Sequence, residues 1–162
     1  MRAMFAGAVA FNQPLRLATP SVTDMSGMFQ GALLFNSPLV FELVTARRRA
    51  LSSGAEPSLG TANVNDMADM FSGAAAFNQT LDFDTSSTTS MSGMFAGALA
   101  FDQPLDFDTS SVISMRAMFD GASAFNQPLS VGNVSNASTT RRALLSTGAR
   151  RPHFDTSSVT DM

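Results

Sequence analysis

Residues 91–114 read MSGMFAGALAFDQPLDFDTSSVIS, and Met115 opens the same phrase again 24 residues on. Stepping back by 24 gives Met67 and MADMFSGAAAFNQTLDFDTSSTTS. Met1 and Met25 stand the same distance apart, with MRAMFAGAVAFNQPLRLATPSVTD between them. Self-similarity at a fixed period marks a repeat architecture. Five copies start at Met1, Met25, Met67, Met91 and Met115, and Met162 opens a sixth. All 11 Met fall in the M-x-x-M pairs or at that last opening, and most of the 14 Phe fall at M-F, F-N and L-x-F-D. The composition is the repeat multiplied, so no single Met or Phe stands out.

Copies two and five are longer, at 42 and 47 residues. The excess lies at about 43–60 and 133–155, each time just after the P-L-x-hydrophobic segment. The two inserts resemble each other, TARRRALSSGA from Thr45 against TTRRALLSTGA from Thr139, and hold seven of the ten Arg. They are expected to be disordered loops at one edge of the stack. Their shift in composition would also fit retained introns in a multiplied exon. Together with a chain that begins at a repeat boundary and stops as a sixth copy opens, this suggests a fragment of a longer protein.

One repeat predicts a strand and a helix. Leu105-Asp106-Phe107-Asp108 alternates apolar and acidic, the period of a short strand with Leu105 and Phe107 inward. Thr109-Ser110-Ser111 suits a turn and a helix cap. Val112, Met115, Met118, Phe119 and Ala122 then fall on one helical face. Gly7, Gly31, Gly73, Gly97 and Gly121 recur where a left-handed helix cap is expected. Asn12, Asn36, Asn78, Asp102 and Asn126 recur in register as a side-chain ladder that satisfies backbone donors in a turn. A unit of 24 residues cannot bury its apolar face alone, and stacking neighbours buries it. The expected fold is an α/β repeat solenoid, leucine-rich-repeat-like, with one short parallel strand and one short helix per coil. It forms a single domain over residues 1–162. A straighter β-helix is the alternative.

The composition narrows function. With 44% hydrophobic residues the chain is no disordered tail. No apolar run approaches the roughly 18 residues of a membrane span, and the amino terminus lacks the charged-then-apolar pattern of a signal peptide. Cys is absent, which excludes disulfides and thiolate metal sites. A net charge of −3 does not supply the basic face that nucleic acid requires. One His, no Lys and no Tyr leave few parts for acid–base or nucleophilic chemistry, and no enzyme is expected.

The phrase M-S-G-M-F-x-G-A-x-x-F-N-Q-P-L-x-F-D-T-S-S-V-T-D resembles the repeat of the BspA-like leucine-rich-repeat surface proteins, across all five copies. Two departures stand out. The family usually has Trp before D-T-S, where this chain has Phe83, Phe107 and Phe154, with Leu17 and Phe41 in the first two copies. The inserts are also foreign to the family pattern. The resemblance implies a solenoid within a secreted or surface-attached protein, in a family some of whose members are implicated in adhesion to host proteins. It implies no catalytic residue and no cofactor.

Several side chains are candidates for chemistry. The outward strand positions Arg16, Val40, Asp82, Asp106 and Ser130 differ between copies while the inward ones stay apolar. An extended solenoid face of this kind commonly binds partners, so these residues are the expected contact with a protein or glycan. Asp82, Asp84, Asp106 and Asp108 should stack as acidic rows, weak candidates for a calcium ion between layers. Capping by Asp84 and Asp108 and plain solvation explain them more simply. His153 and the Arg clusters Arg47-Arg48-Arg49 and Arg141-Arg142 read as solvated loop residues. Asn133 and Asn136 head glycosylation sequons in an insert, whereas Asn78, also in a sequon, belongs to the ladder. The recurring Thr19, Thr61, Thr85, Thr109 and Thr156 raise the thought of an ice-binding face, which helix capping explains without that role. The expected function is a non-catalytic binding or adhesion module; the alternatives are an acidic envelope spacer, with or without calcium, and a degenerate gene-model fragment. Stacking with further repeats is a further expected contact.

Overall fold

A computed structural model describes residues 1–42 and 60–128. Within them, each repeat is hydrogen-bonded to the next. Ala3, Phe5 and Gly7 donate their N–H groups to the carbonyls of Ser26, Met28 and Gln30, at 2.9, 2.8 and 2.7 Å. Gly27, Phe29 and Gly31 donate in the same way to Ala68, Met70 and Ser72, and Asp69, Phe71 and Gly73 to Ser92, Met94 and Ala96. The repeats therefore stack in sequence order, the M-x-x-M-F segment of each donating N–H groups to the layer that follows.

Among the described residues two segments form strands, β1 (Leu15–Ala18) and β2 (Leu39–Glu42). They pair in parallel, Leu15 with Leu39 through Ala18 with Glu42. The equivalent segments 81–84 and 105–108 keep the predicted alternation without forming strands. Leu81, Phe83, Leu105 and Phe107 are buried, and Asp82 and Asp106 are exposed. Charge distinguishes the two sets of segments. Arg16 reaches across the first pair to Glu42 at 3.3 Å, whereas the later segments set Asp over Asp in both outward rows, and like charges opposite one another weaken a sheet. A second, one-residue ladder runs through Asp24, Asp66, Ser90 and Ser114.

No helix forms among the described residues, and the predicted helix over Val112–Ala122 is a run of turns instead. Met118 donates to Met115, Asp120 to Ala117 and Ala122 to Phe119, all three residues back. The third and seventh positions of every repeat have positive φ. The seventh is Gly in each copy, at +69 to +70°, and the third is Ala3, Gly27, Asp69, Gly93 or Ala117, at +53 to +64°. Left-handed residues every four positions break an α-helix, and a turn with φ > 0 at its third residue favours Gly there. The N–H groups between are committed sideways to the next layer. The glycines read as helix caps are thus turn residues.

Ala3, Asp69 and Ala117 carry strain that Gly would relieve. A left-handed L-residue costs about 1–2 kcal/mol, and Gly returns about 0.5–1 of that through unfolded-chain entropy. Ala117→Gly is expected to stabilise the protein by up to about 1 kcal/mol, and Gly97→Ala, at φ +69°, to destabilise it by a similar amount. Urea unfolding of both variants checks the opposite signs.

The core is two columns of Phe. One runs Phe5, Phe29, Phe71, Phe95, Phe119, the other Phe11, Phe35, Phe77, Phe101, Phe125. Rings stack between layers at 5.3–5.9 Å and pair within a layer at 4.1–4.7 Å. Met25, Met28, Met67, Met70, Met91, Met94 and Met118 fill the space beside them, all fully buried.

The first insert leaves this register intact. The chain departs after Glu42 and is back at Gly60, whose N–H donates to Phe41 O at 3.1 Å and whose carbonyl accepts from Thr19 Oγ1 at 2.6 Å. A side chain on Gly60 would run into Thr19 Oγ1. The rest of that insert, the whole insert at about 133–155, Ser130, Phe154, Thr156, His153, the Arg clusters and the sequons at Asn133 and Asn136 lie outside the described residues.

Candidate binding face

Four of the five expected contact residues are described, and they share the outward row of the first four layers. Arg16, Val40, Asp82 and Asp106 are all exposed, Val40 at 37%. Each projects from a segment whose inward neighbours are apolar, so the alternation that buries Leu and Phe also sets these side chains outward. Backbone bonds fix the segment ends. Leu15 N–H donates to Pro38 O at 3.1 Å and Thr19 N–H to Glu42 O at 3.0 Å. The row is cationic at its first layer, apolar at its second and anionic at its third and fourth.

The second outward row is Ala18, Glu42, Asp84 and Asp108. Glu42 is taken by Arg16. Asp84 Oδ1 accepts from Ser86 N–H at 3.1 Å and from Ser86 Oγ at 2.6 Å, and Asp108 Oδ1 accepts from Ser110 N–H at 2.9 Å. Both carboxylates cap the turn that follows them, an arrangement short polar side chains favour. Asp24 does the same for Ser26 and Asp66 for Ala68. Among the described residues, no group of three or more His, Cys, Asp or Glu is arranged to hold a metal ion.

These caps give an acid limb to stability. The Ser26 hydroxyl, helped by the Ser26 N–H and Arg2, holds the Asp24 carboxyl below the ordinary carboxylate value against some desolvation. The hydroxyl and N–H of Ser110 lower Asp108 likewise. A depressed folded value stabilises above the unfolded value of about 3.9 and is lost as pH falls through the folded one. Melting temperature should therefore hold from neutral down to about pH 4 and fall below it. Asp24→Ala should melt lower at neutral pH and lose less on acidification, which thermal melts across the acid range check.

The threonine row is no surface. Thr19, Thr61, Thr85 and Thr109 are 0–2% exposed. Thr19 and Thr85 donate across layers to Gly60 O and Asp108 O. Burial removes the ice-binding face, because the strand alternation that turns Phe83 and Phe107 inward turns the next-but-one residue inward too. The Asn row is a ladder as expected. Asn12, Asn36, Asn78 and Asp102 each offer Oδ1 to the backbone N–H of the next member at 2.9 Å. Gln79, Gln103 and Gln127 add their side-chain amides to the same oxygens.

One surface feature escaped the sequence pattern. Val9, Leu33, Leu34 and Leu99 stand 43–56% exposed at the turn between the conserved-register Gly-Ala and Phe of their repeats. The predicted helix end hid it. The available signal was Leu or Val at two variable positions that other copies fill with Ala.

A family described as "Mycoplasma protein of unknown function, DUF285" matches this chain over residues 1–46 and 57–151. No curated protein and no solved structure matches it.

Proposed function

The chain belongs to the DUF285 family, and on that premise we propose that it is a non-catalytic binding module: part of a BspA-like repeat solenoid, secreted or held at a cell surface, that presents its strand face to a protein or glycan. The observation that carries this is the contrast along the row Arg16, Val40, Asp82, Asp106. The outward side chains change from layer to layer, while the Leu and Phe between them stay apolar and point inward. A scaffold that repeats inside and varies outside separates stability from recognition. Each outward position can change without disturbing the stack beneath it.

The test is to probe the full chain against a printed glycan array and immobilised extracellular-matrix and serum proteins. Binding should appear in the panel and fall at least tenfold in Asp82→Lys/Asp106→Lys, with melting temperature retained. Binding that survives this charge reversal and Arg16→Glu would overturn the strand-face assignment. An acidic spacer instead requires no ligand, and a calcium-bound form of it would gain stability from the ion. With Asp84 and Asp108 already serving their own turns, calcium should leave the melting temperature unchanged.

A further inference from the structure

We draw no further inference here: the strongest candidate, the exposed apolar turn face of Val9, Leu33, Leu34 and Leu99, carries nothing, because nothing in the structure shows what covers it.

Discussion

Phe95→Ala is expected to lose about 3–5 kcal/mol, the range for deleting a fully buried aromatic ring. Phe95 is fully buried at the inner part of its column. It lies 5.7 Å from Phe71 above, 5.5 Å from Phe119 below and 4.1 Å from Phe101 in its own layer, all with nearly parallel rings. Loss of the ring leaves a cavity that the stack cannot close. Phe71 N–H to Met94 O at 2.9 Å and Phe95 N–H to Met118 O at 2.8 Å hold the layer spacing on both sides. Cavities that cannot collapse are the costly ones. A domain of this size has only about 5–15 kcal/mol in hand, so the variant should unfold at much lower urea. Phe5→Ala is the control. Phe5 is half-buried with a neighbouring layer on one side only among the described residues, and its loss should cost about half as much. Equal costs at the two positions would contradict the layer order.

Asn78→Ala should lose about 1–2 kcal/mol, within the range for stranding partly buried hydrogen-bond donors. Asn78 Oδ1 accepts from Asp102 N–H and from Gln103 Nε2, both at 2.9 Å. Removal of the acceptor strands both donors between layers. The decisive comparison is Asn78→Asp. It keeps the accepting oxygen, and the chain already uses that solution at Asp102, whose Oδ1 takes Asn126 N–H and Gln127 Nε2 at 2.9 Å. Asn78→Asp sets its carboxylate one layer from that of Asp102, so in high salt, which screens this repulsion, it should stay within about 0.5 kcal/mol of the parent at neutral pH. Urea midpoints for the two variants separate a ladder from mere packing. An Asp variant as damaged as the Ala variant would show that the oxygen is not what matters.

The amino-acid sequence by itself determined the period, the five layers, the inward Leu and Phe of the strand segment, and the Asn and Asp ladder. These follow from side-chain alternation and from a side-chain acceptor recurring at the same position of each repeat, both local properties. The Asp caps were legible for the same reason, since Asp84 and Asp108 sit two residues before the groups they accept from. The tertiary structure decided what the M-x-x-M-F segment becomes. Its apolar spacing fits a helix and a turn-rich layer equally well, because both put every third or fourth residue on one side. What separated them was where the N–H groups go. Phe71 gives its proton to Met94 in the next layer and not to its own chain four residues back, and the left-handed third and seventh positions make that exchange sterically available. Gly27 with Gly31, and Gly93 with Gly97, hinted at it, but Ala3, Asp69 and Ala117 at the same position obscured the hint. The exposure of Leu33, Leu34 and Leu99 followed from that choice. A helix and a run of turns carry the same residues to different surfaces, and only contact with the adjacent layer selects between them.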